Sequence, residues 1–336
     1  MLAPRDGYAL EEVMTSAEKS LFPTRHILVG VSFSDPAEDD PFQLCASDHA
    51  PIRQAVWLAG HTNAEITFFH VLENVPDDID PTLAKTYADI HQRATWHVDK
   101  VAQKFREQGL VCHTKVTHGI SWEQTILEAV SSGCDLVVVG PRRQGAGLLD
   151  RIVYGSTTNR LIRQCPLPVW VVAPEAATGI SHIVVPIDFS PASERCVAFA
   201  DWLSHLANAE CTAVHSLEYK GFFSLRPLPQ TEESVEKFQE KARQDAEDKL
   251  RGFLGAKIDQ WKAVIDEDRI ERALPRVVSQ SGADLVILAT QGAKGLPGIL
   301  LGTTAEKVLS RCVASVLVIK PVGFEAPMRS VISLTL

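Results

Sequence analysis

Glycines and threonines are concentrated in the segment 288–304, LATQGAKGLPGILLGTT. Because glycine has no Cβ atom, a loop that contains Gly292 and Gly302 can bring its backbone close to a ligand. Gly302 is followed by Thr303 and Thr304, an order typical of a helix start, where free N–H groups and the helix dipole attract an anion. The segment therefore predicts a polyphosphate site. The threonine hydroxyls could donate to phosphate oxygens or only cap the helix, and both interpretations stay open.

A carboxylate ends an apolar run in the segment 183–191, IVVPIDFSP. Ser190 and Pro191 after it are typical of a helix N-cap and of the first helical position. In open parallel sheets the ligand crevice lies beyond the carboxyl ends of the strands, so Asp188 would lie beside the phosphate loop and suit ribose hydroxyls. An ordinary turn or cap carboxylate is the alternative interpretation.

The sequence lacks the common catalytic and nucleotide-binding signatures. There is no GxxxxGK[ST] loop, and GAGLLD at 145–150 is an incomplete GxGxxG that follows a late strand. Neither HExxH nor GxSxG occurs, so metalloprotease and serine-hydrolase chemistry are not indicated. His70 and His215 occupy matching strand positions, which predicts a structural role, and the odd spacing of His113 and His118 disfavours a shared metal.

The composition is typical of a globular protein, since 45% of the 336 residues are hydrophobic and 22% are charged. The net charge is −9 and no basic cluster stands out, so no nucleic-acid partner is expected. Seven cysteines are scattered without CxxC pairs, which predicts reduced thiols and a cytoplasmic location. No apolar run approaches the roughly 20 residues of a membrane helix, and the start of the chain lacks the apolar region of an export signal. No membrane partner is therefore expected.

The chain contains two copies of one pattern. RHILVGVSFS (25–34) parallels SHIVVPIDFS (181–190), and SGCDLVVVG (132–140) parallels SGADLVILA (281–289). Tandem duplication is the simplest account of this order. Four later residue pairs share one constant offset: Gly145 and Gly292, Gly155 and Gly302, Cys165 and Cys312, Val169 and Val316.

Each copy alternates short β-branched runs with longer segments of helical period. This alternation predicts βα units around a parallel sheet that is buried on both faces. In the second copy the helix between the second and third strands is expected from about 232 to 254, and in the first copy the corresponding apolar stripe extends from Leu83 to Phe105. Strands of the second copy are expected near 182–187, 211–216, 261–265, 284–289 and 315–319.

The repeat predicts two domains, at 24–174 and 181–321, with terminal extensions at 1–23 and 322–336. The segment PEAATG (174–179) is the expected linker. Because it is short, we expect the two copies to pack against each other.

The arrangement resembles the universal stress protein family, whose nucleotide-binding members carry a G-x2-G-x9-G-[ST] loop after the fourth strand. Gly292, nine further residues and then Gly302-Thr303 match the last part of this pattern, and VPIDFSPAS (185–193) is similar to the family's opening strand and turn. The resemblance covers nearly the whole chain in two copies, as in the tandem members of the family. It implies an α/β fold of two Rossmann-like domains of the adenine nucleotide alpha hydrolase-like type, each an open parallel five-stranded sheet flanked by helices.

The resemblance also implies a ligand and its contacts in the second copy. The implied ligand is ATP, either alone or with a bound Mg²⁺ that would shield the phosphates. Asp188 would contact the ribose and adenosine side, and the backbone around Ser216 would border the adenine. Ala289 stands where the family has its first glycine, a departure that crowds the loop. The implied binding residues are Pro186, Asp188, Ser190, Ser216, Ala289, Gly292, Gly302, Thr303 and Thr304.

The first copy departs further from the family pattern. Ser32 occupies the position of Asp188, and the segment 37–51 is interpreted as largely an insertion. Its loop has four residues between its first two glycines where the family has two. Arg142 and Arg143 in that loop could bind phosphate, form a solvated turn or contact acidic residues. We therefore expect a degenerate or altered first site. Its secondary candidates are Gly140, Arg143, Gly145, Gly155 and Ser156.

The leading hypothesis is a tandem universal stress protein that binds ATP as a regulatory factor. No residue is recognised as a general base, and Asp188 is expected at the sugar end, so we expect no more than slow, incidental hydrolysis. One alternative is a scaffold that acts through its surfaces without nucleotide, and a less favoured one is an adenylating enzyme of the same fold class. The expected partners are adenine nucleotide and a protein whose identity is unknown. The apolar last strands of the two copies could pair with each other, and a homodimer is also open.

Overall fold

The structure, a computed structural model, describes residues 24–33, 44–73, 81–141, 155–217, 232–290, 307–308, 311–321 and 324. In this part of the chain two similar lobes follow one another. The first lobe contains strands β1 (His26–Gly30), β2 (Glu65–Leu72), β3 (Cys112–His118), β4 (Leu136–Val139) and β5 (Val169–Val171), with helices α1 (His49–Thr62), α2 (Pro81–Arg106), α3 (Ser121–Ser131) and α4 (Ser156–Gln164). The second lobe contains β6 (His182–Pro186), β7 (Glu210–Ser216), β8 (Lys262–Asp266), β9 (Leu285–Ala289) and β10 (Ser315–Ile319), with α5 (Pro191–Ala207), α6 (Glu232–Leu254) and α7 (Ile270–Ser281).

The strands of both lobes form one continuous sheet in the order β3-β2-β1-β4-β5-β10-β9-β6-β7-β8. All pairs within a lobe are parallel, and β5 and β10 are antiparallel, with Trp170 opposite Leu317. The predicted α/β class with a mostly parallel sheet flanked by helices is confirmed. The two five-stranded sheets are not separate, however. The last strands of the two copies pair with each other, as one interpretation of the sequence held. The homodimer stays a prediction.

The core has two layers, one on each face of the sheet. Ile183 and Val185 belong to the layer under α1, α2, α5 and α6, whereas Val184 and Val286 belong to the layer under α3, α4 and α7. Strands buried on both faces are typical of parallel sheets covered by helices, and this burial explains their runs of β-branched residues. Both layers contain residues of the two lobes, so the lobes share one hydrophobic core.

The predicted elements agree closely with the observed ones. The five strands predicted in the second copy are β6 to β10, and each observed end lies within a residue of the predicted one. The helix predicted from about 232 to 254 is α6. Ala246 and Leu250 of its apolar stripe are buried, as are Ala94 and Val98 of the matching stripe in α2.

The predicted insertion at 37–51 is placed too far along the chain. Ala46–Asp48 form a short 3-10 helix that leads directly into α1. Helices α1 and α5 both end at an asparagine in the left-handed conformation, Asn63 with φ 56° and Asn208 with φ 52°. Counting back from these two caps aligns Asp48 with Ser193 in the first turn of α5. The additional residues of the first lobe therefore lie before Cys45.

Candidate functional site

The order of the strands places a crevice in each lobe. In the second lobe β6 lies between β9 and β7. The strands β7 and β8 are added on one side of β6, and β9 and β10 are added on the other side. Such a topological switch point is where open α/β sheets bind ligands, beyond the carboxyl ends of the strands. Asp188 follows β6 there, and Thr290 follows β9. Counting forward from the register in which Val184 pairs with Val286 places Asp188 level with Thr290.

Asp188 is an exposed carboxylate whose position is fixed by the start of α5. Its Oδ1 accepts hydrogen bonds from the N–H of Ser190 at 3.0 Å, from the hydroxyl of Ser190 at 2.5 Å and from the hydroxyl of Ser193 at 2.6 Å. Ser190 also caps α5, since its Oγ accepts from the N–H of Ser193 at 3.2 Å. The predicted N-cap is therefore confirmed. The result is an acceptor at the mouth of the crevice that is already oriented before any ligand arrives.

The turn that carries Asp188 contains a strained residue. Phe189 has φ 62°, which is uncommon for a residue other than glycine and costs on the order of 1–3 kcal/mol. Its ring contacts the rings of His215 and Phe253 at centroid distances of 4.4 and 5.5 Å, and the Nζ of Lys249 lies 4.2 Å from its centre. These contacts hold the strained turn against the core.

The matching histidines have the predicted structural role. The Nδ1–H of His215 donates to the carbonyl of Ile187 at 2.8 Å, and the Nδ1–H of His70 donates to the carbonyl of Val31 at 2.9 Å. Each histidine therefore fixes the backbone just before the crevice residue of its lobe. Burial lowers the pKa of both imidazoles.

Ser216 and Pro186 lie at the carboxyl ends of the neighbouring strands β7 and β6, and Pro186 pairs with Val214, two residues before Ser216. The hydroxyl of Ser216 donates to the carbonyl of Asp268 at 2.5 Å. This hydroxyl therefore has an acceptor within the protein, while its oxygen can still accept. The contact that the resemblance implied at Ser216 stays a prediction.

Thr290 is a further candidate at this edge, and the sequence interpretation did not include it. It is fully buried, and within the described part of the chain its hydroxyl has no hydrogen-bond partner. A buried hydroxyl without a partner is costly, and a bound ligand or water is one way to satisfy it. The only signal in the sequence was its place directly after Ala289, the last residue of β9.

Several predicted residues lie outside the described part of the chain. They are Gly292, Gly302, Thr303 and Thr304 of the second lobe, and Arg143 and Gly145 of the first. Their roles stay predictions. Of the others, Pro186, Asp188, Ser190, Ser216 and Ala289 all lie at the carboxyl edge of the second lobe's strands.

The corresponding edge of the first lobe is built differently. The N–H of Ser32 donates to Oδ2 of Asp48 at 2.5 Å, and Asp48 is only 5% exposed. A Cβ atom added at Gly140 would lie 2.5 Å from the carbonyl oxygen of Ser47, so the backbone of the turn before α1 rests on the end of β4. Gly155 is the N-cap of α4, and Ser156 is the first residue of that helix. The first lobe therefore has no counterpart of the exposed Asp188 carboxylate among these residues.

Other chemistry is not supported by the described residues. They include no cluster of three or more His, Cys, Asp or Glu side chains that could hold a metal ion. His113 forms a surface contact with Glu65, with 2.9 Å between Nε2 and Oε2. All seven cysteines are free thiols, and burial raises the pKa of Cys165 and Cys312 to about 12, so neither is activated as a nucleophile. None of the helices in the described ranges is both long enough and apolar enough to cross a bilayer.

Comparison with known proteins gives a consistent result. Residues 23–173 and residues 179–320 each match the model of the Universal stress protein family. Universal stress protein E of Escherichia coli (strain K12) is 27% identical over 312 residues, which cover 86% of this chain and 94% of that relative. A universal stress protein of Mycolicibacterium smegmatis is 28% identical over 309 residues, covering 88% of this chain and 97% of that relative.

Two solved structures have the same fold over most of the chain. A functionally unknown protein from Pseudomonas aeruginosa superposes with a TM-score of 0.63 at 19% identity, covering 91% of this chain and 95% of that one. A universal stress protein from Archaeoglobus fulgidus superposes with a TM-score of 0.63 at 17% identity, covering 89% and 99% of the two chains. At these identities the likeness concerns the fold alone.

Proposed function

Because this chain belongs to the universal stress protein family, in its tandem two-domain form, we propose that it binds ATP in the second lobe and acts as a regulatory factor in a stress response. Occupancy of the crevice would set the conformation of the second lobe or its contacts with a partner protein. The first lobe would serve mainly as the structural partner with which the second shares its core.

The observation that carries the proposal is the oriented carboxylate of Asp188. It lies exposed at the switch point, with Oδ1 held by Ser190 and Ser193. A carboxylate at the end of a strand beside a phosphate loop suits the hydroxyls of a ribose, as in other nucleotide-binding α/β sheets. The first lobe has Ser32 in this position, which is why the proposal assigns the nucleotide to the second lobe.

A nucleotide fits the other groups at this edge. The buried hydroxyl of Thr290 lacks a partner among the described residues and could donate to or accept from a bound ligand. The backbone at Ser216 lies at the end of β7, which is separated from β9 by β6. Mg²⁺, if it accompanies the nucleotide, would be held mainly by the phosphates, since the described residues offer no cluster of metal ligands.

The proposed role is binding with little or no hydrolysis. Asp188 is the one carboxylate that the described structure orients at the switch point, and its place at the sugar end would keep it from the γ-phosphate. Hydrolysis needs a group that positions or deprotonates the attacking water, and positioning supplies much of the rate in phosphoryl transfer. We therefore expect the bound nucleotide to persist.

The test is to denature freshly purified protein and identify any released small molecule by mass, then to titrate the ligand-free protein with ATP in a calorimeter. We expect about one ATP per chain. Asp188→Ala should weaken binding by about tenfold to a hundredfold, because a hydrogen bond to a charged group contributes about 1.5–3 kcal/mol.

Ser32→Ala is the matched control, since it alters the corresponding position of the first lobe. It should leave the affinity for ATP unchanged. Equal losses in the two variants would contradict the assignment to the second lobe. If wild-type protein neither carries nor binds nucleotide, the proposal fails and a scaffold that acts through its surfaces becomes the better account.

A further inference from the structure

Lys320 is a buried lysine at the seam between the two lobes. It follows β10 in the second lobe, and only 2% of its surface is exposed. Its Nζ donates to the carbonyls of Ile162 and Arg163, the latter at 3.0 Å, in the last turn of α4 of the first lobe. Lysine is almost never this deeply buried unless it is paired with an opposite charge. Lys320 thus makes a direct polar contact between a strand of one lobe and a helix end of the other.

The groups that face Lys320 in the described part of the chain do not include a carboxylate. From the first lobe they are Arg163 and the thiol of Cys165, which follows α4. From the second lobe, the guanidinium of Arg195 in α5 donates to the carbonyl of Lys320, and the ring of Phe324 lies 4.6 Å from Nζ. A positive charge on Lys320 is therefore met by helix carbonyls and an aromatic ring, and Arg163 opposes it.

Burial without a counter-ion has a definite effect on this amine. It lowers the pKa of Lys320 to about 7, with a further lowering from Arg163 and an opposing effect from Cys165. The uncharged amine still has two N–H donors, enough for both carbonyls of α4. The contact between the lobes can therefore exist in a neutral and a charged form near physiological pH.

We propose that Lys320 is an acid-sensitive latch between the lobes: as the neutral amine it caps the last turn of α4, and proton uptake places in the seam a buried charge that has no carboxylate partner and is opposed by Arg163, which weakens the docking of α4. Only the second lobe supplies a lysine at this position of the repeat. By the constant offset of the repeat, the first-lobe counterpart of Lys320 is Ala173, which has no side chain that could reach the other lobe.

The direction of the pH effect follows from proton linkage. Between pH 7 and 10.5 the unfolded chain keeps the proton on Lys320 and the folded chain does not, so stability rises with pH in this window. One proton of difference changes the folding equilibrium constant by up to tenfold for each pH unit. Below pH 7 Lys320 is protonated in both states, so this contribution is at its lowest and no longer changes.

The test is urea denaturation of the full chain at intervals from pH 6 to pH 10, for wild type and for Lys320→Met, which has a similar length and no charge. The folding equilibrium constant of the wild type should rise with pH above 7. In Lys320→Met this rise should be smaller, by up to a factor of ten for each pH unit. Lys262→Met is the matched control, because Lys262 is an exposed lysine at the start of β8, and it should keep the wild-type slope.

Hydrogen exchange tests the latch itself. The N–H of Cys165, bonded to the carbonyl of Leu161 at 2.9 Å, reports the last turn of α4. After correction for the intrinsic pH dependence of exchange, its protection factor should fall on acidification from pH 8 to pH 6 in wild type and stay constant in Lys320→Met. The same slope and the same protection in both proteins would overturn the proposal.

If Lys320→Met does not fold, the wild-type protein still decides the matter. Lysine labelled with ¹³C at Cε gives one resonance for each residue, and Lys320→Arg identifies the one that belongs to Lys320. A midpoint near pH 7 supports the latch. A midpoint above pH 9 overturns it.

Discussion

The backbone N–H of Ser32 donates to the carboxylate of Asp48 across 2.5 Å. In the second lobe the corresponding bond runs from the N–H of Asp188 to the hydroxyl of Ser193, at 3.2 Å. The two lobes thus use the same pair of residue types in opposite places. This exchange keeps the turn intact in both lobes and moves the carboxylate from the exposed end of a strand in the second lobe to a buried helix turn in the first. Among the described residues of these two turns, only the second lobe exposes a carboxylate.

The buried carboxylate of Asp48 should matter for stability. Asp48→Ala leaves the N–H of Ser32 without this acceptor, and we expect the free energy of unfolding to fall by about 1–3 kcal/mol. Urea denaturation measures the change. Asp89→Ala, at an exposed position of α2, is the control and should change stability by less than about 0.5 kcal/mol. Similar small effects in both variants would show that Asp48 does not hold the turn.

Gly140 should not tolerate a side chain. A Cβ atom there would lie 2.5 Å from the carbonyl oxygen of Ser47, and because that atom belongs to the backbone the turn must shift. We expect Gly140→Ala to destabilise the protein by about 1–3 kcal/mol in thermal or urea unfolding. Gly60→Ala, in α1 with no atom within 4 Å of the added carbon, should instead be neutral or stabilise by up to about 1 kcal/mol. Equal effects of the two substitutions would refute the close contact.

His215 should make the protein sensitive to acid. Burial lowers its pKa in the folded state below the ordinary value of 6.5. As the pH falls below 6.5 the unfolded chain therefore takes up a proton that the folded chain does not, and stability decreases. His215→Asn, which can still donate to the carbonyl of Ile187, should reduce this loss by up to about 1.4 kcal/mol per pH unit.

The control for His215 is His118→Asn, which alters an exposed histidine at the end of β3. Its stability should depend on pH between 5 and 7 as that of wild type does. If His215→Asn gives the same curve as His118→Asn, the imidazole of His215 is not the source of the acid sensitivity.

Trp170 should be the main apolar contact of the seam. It is 1% exposed and lies opposite Leu317 of the other lobe, and its Nε1–H has no partner among the described residues. We expect Trp170→Ala to cost about 3–5 kcal/mol of unfolding free energy. Trp170→Phe should cost much less, because it keeps a ring and removes the unpaired donor. A loss in Trp170→Phe as large as in Trp170→Ala would mean that the indole N–H does have a partner.

The regular elements were readable from the sequence because their causes are local. The apolar stripe of α6 repeats every three or four residues, and the strands are continuous β-branched runs, so spacing alone predicted both. The N-cap at Ser190 was equally local, since a serine before a proline at the first helical position leaves few alternatives.

The missed features depend on residues that are far apart in the chain. The additional residues before Cys45 hid the alignment of Asp48 with Ser193. The hydrogen bond from the N–H of Ser32 to the carboxylate of Asp48 could therefore not be recognised from the sequence. Lys320 follows an apolar strand, where a lysine normally reaches solvent, and its contact with the distant helix α4 could not be read from spacing. Pairing of β5 with β10 joins segments more than a hundred residues apart, and spacing does not choose between an internal and an external partner.

The antiparallel pairing of β5 and β10 also fixes the directions in which the lobes face. Since every strand within a lobe is parallel, reversal at this one seam points the carboxyl ends of the first lobe's strands away from those of the second. The two crevices therefore open on opposite rims of a single sheet, and no one small ligand can be enclosed by both. A macromolecule that approaches the rim with Asp188 meets the amino ends of the first lobe's strands there, so it would sense the second crevice without contacting the first.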